Sequence, residues 1–249
     1  MKLAVLAVVA VCAVSAECAS PKAKPAAADS GYAEPPFKPL VVDVEGTPAE
    51  GLFTYNFWRI LSSVEKTNGT QRICRMWKDA TACQVIPDGC ESAMEVTELK
   101  DGRYFVDWTF TVTSTNLPPI PRVGLAFPLK KSFSTVHWHG RGPWENYPDR
   151  RNGAKLGIYA ADMGLVGDSE PNFGYRSACR WMEVMEPTGR GMKIEAVNAP
   201  FGFSIRPRTD KVEGFFVHID AYISSVMSLR SETPKRPETY RISFLVSEI

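Results

Sequence analysis

The residues best suited to chemistry in this chain crowd into one stretch, residues 135–151, which reads TVHWHGRGPWENYPDRR. His137 and His139 stand two apart, a spacing that places both on one face of a strand. Two such imidazoles beside Glu145 carry the groups needed for sugar acid/base chemistry or for holding a metal. The alternative for them is a pair of ordinary histidines beside a turn. Trp138, His139, Arg141, Trp144, Glu145, Asn146, Tyr147 and Arg150 form the candidate carbohydrate-binding set. Aromatic rings offer sugar C–H faces an apolar platform, and the polar side chains offer hydrogen bonds. Glu145 and Arg150 have a second reading, as a bidentate ion pair that holds the turn shut.

The elements around this stretch are strands. Val106, Trp108, Phe110 and Val112 alternate with Asp107, Thr109 and Thr111. Residues 94–99 precede them across the turn Lys100-Asp101-Gly102-Arg103, which predicts a hairpin. Further alternating sets are Val123 to Leu129, Phe201 to Ile205, residues 215–222, and Tyr240 to Val246. Many short strands separated by Pro and Gly predict an all-β, antiparallel sandwich. One short helix is expected near residues 71–79. A (β/α)₈ barrel is excluded, because the strands do not alternate with helices.

The pattern W-x-G-x-G-P-x-E-N-Y-x-D-R, carried here by Trp138, Gly140, Gly142, Pro143, Glu145, Asn146, Tyr147, Asp149 and Arg150, resembles the signature of the β-galactosidase small chain in glycoside hydrolase family two. Flanking segments are similar too. They are Leu117-Pro118-Pro119-Ile120-Pro121-Arg122-Val123-Gly124, Asn56-Phe57-Trp58-Arg59, Trp77-Lys78-Asp79-Ala80, Gly174-Tyr175-Arg176, Arg180-Trp181 and His218-Ile219-Asp220. The resemblance runs from about residue 53 to residue 249. It implies a galactose-mutarotase-like supersandwich.

The resemblance also implies a division of labour. In that family the two catalytic glutamates sit on a separate barrel domain. Retaining glycosidases need such carboxylates about 5 Å apart. The expectation here is therefore no catalytic residue, no cofactor and no metal. Two loops that reach the family's active site differ. Ile60-Leu61-Ser62-Ser63-Val64-Glu65 stands where an A-P-x-D-N-D loop is usual. Met227-Ser228-Leu229-Arg230-Ser231-Glu232 stands where a G-G-D-D-S-W loop supplies a sugar-stacking Trp. Three functions follow as readings: a carbohydrate-associated, non-catalytic relative that takes galactosides; a true small subunit partnered by a separate β-galactosidase large chain; or a mutarotase-like epimerase using His137, His139 and Glu145.

Composition bounds the rest. The formal net charge is +1, so no basic field draws nucleic acid. Lys2 followed by the apolar residues 3–14 reads as a signal peptide, cut after Ala16 in Val14-Ser15-Ala16. The run is too short to span a bilayer, so no membrane association is expected after cleavage. Val11 and Glu17 precede Cys12 and Cys18, which disfavours lipidation. The organisation expected is a signal peptide over 1–16, an Ala/Pro-rich linker over 17–36, and one β-sandwich domain over 37–249. The destination is secreted or periplasmic, where disulfides form. Cys83 and Cys90, across Pro87-Asp88-Gly89, are the candidate disulfide, with buried thiols as the alternative. Asn68-Gly69-Thr70 is a glycosylation sequon.

Overall fold

The computed structural model describes residues 53–59, 61–163, 174–207, 214–226 and 238–249. The signal peptide, the linker, the start of order near residue 37 and the stretch 227–232 lie outside the described residues. Among those described, the chain runs β1 (Thr54–Asn56), α1 (Ser63–Thr67), α2 (Thr70–Ile73), α3 (Arg75–Cys83), β2 (Cys90–Glu98), β3 (Tyr104–Val112), β4 (Arg122–Lys130), β5 (Thr135–Gly142), β6 (Lys155–Asp162), β7 (Arg176–Cys179), β8 (Trp181–Met185), β9 (Gly191–Ala196), β10 (Phe201–Pro207), β11 (Gly214–Ile223) and β12 (Glu238–Glu248).

The strands form two antiparallel sheets. One has the order β1-β4-β11-β10-β7, the other β2-β3-β12-β9-β8-β5-β6. The expected hairpin is β2–β3, paired from Cys90↔Val112 to Glu98↔Tyr104. Its turn is closed by Gly102 N–H to Leu99 C=O at 3.0 Å, with Gly102 at φ 80°. That conformation suits a residue without Cβ. The core lies between the sheets. Trp108, Phe110 and Phe244 of the larger sheet face Phe127, Phe203 and Ile219 of the smaller one, all fully buried. Each such side chain contributes roughly 1.5–3 kcal/mol through burial. The indole N–H groups of Trp77, Trp108 and Trp138 reach Pro118 C=O (3.2 Å), Ser92 Oγ (2.9 Å) and Arg141 C=O (3.1 Å), so none of these three buried indole donors is left unpaired.

The helical region is larger than the expected turn or two. Helix α1 begins in a capping box: Ser62 Oγ accepts from Glu65 N–H, and Glu65 accepts from Ser62 N–H at 2.9 Å. Helix α3 buries Trp77 and Ala80 and stops at Gln84, which adopts a left-handed conformation. The Gln84 amide then clasps the backbone of Tyr55 at 2.7 and 3.0 Å, tying the helices to β1.

The Cys83–Cys90 disulfide is not formed. Cys74, Cys90 and Cys179 are thiols, while Cys83 is disulfide-bonded. The turn before β2 is closed by backbone bonds instead. Cys90 N–H donates to Pro87 C=O at 3.0 Å, and Gly89 C=O accepts from Thr113 and Ser114. Cys90 itself packs against the core. Burial pushes the Cys74 thiol up to about 11 and the Cys179 thiol higher still, which leaves both poor nucleophiles.

Candidate functional site

Strand β5 alternates strictly, and this splits the candidate set. Trp138, Gly140 and Gly142 face inward and are buried, while His137, His139 and Arg141 face the other way. Trp138 packs among Tyr159 (5.5 Å between centroids) and Phe203 (5.7 Å). It cannot share a ligand surface with His139. Arg141 donates to Ala154 C=O at 2.8 Å. His137 Nδ1 lies 3.9 Å from Glu183, and His139 sits beside Trp181. Among the described residues no hydrogen bond or ion pair joins either histidine to Glu145.

The turn after β5 is a structural knot. Asn146 is fully buried. Its amide nitrogen donates to Trp144 C=O at 3.1 Å and Arg141 C=O at 3.4 Å. Its amide oxygen accepts from Ser177 N–H at 3.0 Å and from Ser177 Oγ. Its backbone N–H reaches Tyr175 C=O at 2.8 Å. Tyr147 is buried and stacked on Tyr175 at 5.3 Å, with the Arg150 guanidinium 5.5 Å above its ring. Asp149 accepts from Val226 N–H at 3.1 Å. These contacts fasten the turn to β7 and to the end of β11.

Two candidates are exposed, Trp144 and Arg150, while His139, Arg141 and Glu145 are half-buried. The Trp144 ring is 73% exposed. Arg150 meets Glu145 in one 3.2 Å contact rather than a two-point pair. The second carboxylate oxygen, Glu145 Oε2, is buried and has no hydrogen-bond partner. Burial pushes the Glu145 carboxyl above its ordinary value, while Arg150, the Gly174 N–H and Arg176 pull it back.

A second polar group stayed hidden in the sequence reading. On the five-stranded sheet, Asn56, Arg122, Ser204, Arg206, His218 and Asp220 project from the face opposite the core. Arg122 grips Asp220 with two 2.6 Å bonds and also donates to Ser204 Oγ at 2.9 Å. Both partners are buried. A Cβ on Gly124 would collide with the Asp220 carboxylate, and one on Gly202 would collide with Tyr175 Oη, so these positions need glycine. Asn56 Nδ2 is 2.7 Å from His218 Nδ1. Desolvation, with Arg122 and Arg206 nearby, holds His218 well below the usual imidazole range. Burial, then the Arg122 charge, pushes Arg206 down to about 10. The available signal was period two: polar residues at these positions alternate with the core-facing Val123, Phe203, Ile205, Val217 and Ile219.

A family model described as "Beta galactosidase small chain" matches residues 43–214. The chain is similar to the beta-galactosidase of Priestia megaterium, 26% identical over 172 residues, covering 58% of this chain and 16% of that protein. It is similar to the beta-galactosidase of Vibrio vulnificus, 34% identical over 110 residues, covering 42% of this chain and 10% of that one. The beta-galactosidase of Vibrio cholerae is 53% identical over 49 residues, covering 20% and 5%. The matched part spans 16% or less of the length of these relatives. With the signature turn knotted into a two-sheet sandwich and the family match running over most of its length, the chain belongs to the β-galactosidase small chain family.

Proposed function

We propose that this chain is a carbohydrate-associated, non-catalytic small-chain module that takes galactosides at the exposed end of its signature turn. The observation that carries the reading is Trp144. Its ring is 73% exposed, and the next residue along the turn is the acidic Glu145. A sugar's apolar face stacks on such a ring while its hydroxyls reach the polar neighbours. Of the candidate set, Trp144, Glu145 and Arg150 make the contact. Trp138, Asn146 and Tyr147 build the turn that presents them.

Titrating the purified chain with galactose and lactose, read by tryptophan fluorescence, tests this. Saturable quenching is expected in the native protein. Trp144→Ala should abolish it while stability stays within about 0.5 kcal/mol, because the ring contributes little to the core. A flat response to both sugars sinks the reading. The proposal places the mature chain outside the cytoplasm, beginning at Glu17. N-terminal sequencing of exported protein checks that, and intact Met1 in a cytoplasmic product would overturn it.

One further observation favours the second reading, a subunit that docks on a separate large chain. Strand β6 ends its sheet, and it leaves Leu156 63% and Ile158 72% exposed. At the opposite edge β2 shields itself with exposed Glu91, Glu95 and Glu98. An unshielded apolar edge suits a partner surface.

A further inference from the structure

Among the described residues, β6 has a strand on one side only. It ends the seven-stranded sheet and pairs with β5 alone. Hydrogen bonds nearby fix which of its peptide groups face outward. His139 C=O accepts from Arg180 N–H at 2.8 Å, so residue 139 turns its peptide groups toward β8. Alternation along β5 then turns Trp138 and Gly140 toward β6, where they pair with Tyr159 and Gly157. Met163 N–H, which reaches Ser134 C=O at 2.8 Å, continues the same parity. The odd-numbered residues of β6 are thus taken up by β5. Leu156, Ile158 and Ala160 aim N–H and C=O at the open edge.

The same three residues place their side chains on the outer face of the sheet, in register with Arg141, His139 and His137. Leu156 is 63% and Ile158 72% exposed, and Ala160 is exposed too. Open backbone and apolar side chains therefore coincide over the middle of the strand. Its charges stand at the two ends, Lys155 and Asp162.

Self-complementarity chooses the occupant. Take an antiparallel neighbour of the same sequence, related by a twofold axis through Ile158. Ile158 then lies opposite Ile158 of the second copy, and Leu156 opposite its Ala160. Each pair joins two edge-facing residues, so each exchanges both backbone hydrogen bonds. Every outer-face side chain in these pairs meets an apolar one. The antiparallel sense also brings the Lys155 end of one strand to the Asp162 end of the other, opposite charges at both margins. A shift of two residues one way sets Leu156 against Asp162. The same shift the other way carries Ala160 past the end of β6.

We propose that two copies of this chain pair through β6, edge to edge and antiparallel about Ile158, so that their seven-stranded sheets run on as one. Pairing removes the one long sheet edge that neither shortness nor charge protects. The second copy occupies the edge that the docking reading offers to a large chain, so the two associations exclude one another.

Sedimentation equilibrium on the purified chain tests this. The native protein should show twice the mass of one chain at about 100 μM and dissociate on dilution. Ala160→Pro removes an edge-facing N–H and no bond to β5, a change that an edge strand tolerates. It should raise the dimer dissociation constant at least about tenfold. Ile158→Lys and Ile158→Glu each set like charges face to face across the twofold axis. Each should be monomeric, with a thermal midpoint close to the native one. Mixed in equal amounts, the two should recover the dimer, because position 158 faces itself in this register. A dimer unchanged by Ala160→Pro and Ile158→Lys lies on another surface and overturns the proposal. So does a mixture of the two charged variants that stays monomeric. A native chain that is monomeric up to about 100 μM also overturns it. If a large chain still retains that monomer, self-pairing fails and the docking reading stands. Should Ala160→Pro not fold, the charged pair decides alone.

Discussion

His218 sets the clearest pH response among single residues. Asn56 Oδ1 accepts from Trp58 N–H at 3.3 Å, which turns the Asn56 amide nitrogen toward His218 Nδ1. The imidazole must accept there, so it is neutral. Desolvation, Arg122 and Arg206 hold its folded value well below 6.5. The unfolded chain therefore takes the proton first. The stability tied to neutral His218 is present above pH 6.5 and is lost as pH falls below it. The slope reaches about 1.4 kcal/mol per pH unit. Urea denaturation from pH 7.5 to pH 5 should show that decline, and His218→Gln should flatten it. Asp107 acts in the same direction lower on the scale. Its contact with Arg241 at 2.7 Å, helped by Ser243, lowers the carboxyl below 3.8. That contribution is present above 3.8 and is lost as pH falls through the folded value. Glu145 has the opposite sign: its folded value is raised, so its stabilising contribution exists below the ordinary 4.5 and disappears as pH rises through the folded value.

At the scale of elements, Glu65 joins Gln84 in fastening the helices to the sheets. Glu65 completes the capping box of α1 and receives Arg59 in two bonds, at 2.9 and 2.7 Å, with both groups buried. Arg59 also donates to Ser224 Oγ at 2.8 Å, just beyond β11. Glu65→Ala removes the cap and takes the carboxylate from a buried guanidinium. The expected loss is about 3–5 kcal/mol, measured as a lower urea midpoint with an unchanged slope. The sequence comparison read residues 60–65 as a loop lacking the family's acidic and amide groups. The Ser62-x-x-Glu65 spacing was a legible helix start within that same stretch. Strands were legible where one face was apolar, as in β3 and β12. Strand β6 was not, because its exposed positions carry Leu156, Ile158 and Ala160 while its inner positions include Gly157 and Ala161. No apolar–polar alternation marks it. The small inner residues make sense against the structure, since Tyr159 fills the space over Trp138.

At the scale of the molecule, the sheet edges differ in how they are protected. The five-stranded sheet ends in β1 and β7, strands of 3 and 4 residues. The larger sheet ends in the carboxylate-bearing β2 and in β6. Short and charged edges resist pairing with other chains, and β6 has neither device along its middle. Ile158→Lys should leave folding stability within about 0.5 kcal/mol, because the side chain is 72% exposed. In a pull-down with a β-galactosidase large chain lacking this domain, native protein should be retained and Ile158→Lys released. Equal retention would remove β6 from the docking surface.

The order of amino acids alone determined the class of fold, because period-two alternation and turn residues are local properties that survive without knowledge of partners. It also determined the signature turn, whose residue types and spacing are read directly. Tertiary structure decided what those residues do. Trp138 and Asn146 look like sugar contacts in one dimension, but β5 turns Trp138 into the core and Ser177 and Tyr175 occupy Asn146. Cys83 and Cys90 are close along the chain, yet Cys90 is a thiol while Cys83 is disulfide-bonded. Arg122 and Asp220 lie 98 positions apart, and Glu145 and Arg176 belong to different elements. A charge network between such residues has no local signature. It exists because β4, β11 and β10 are neighbours in one sheet and because the turn after β5 is laced to β7.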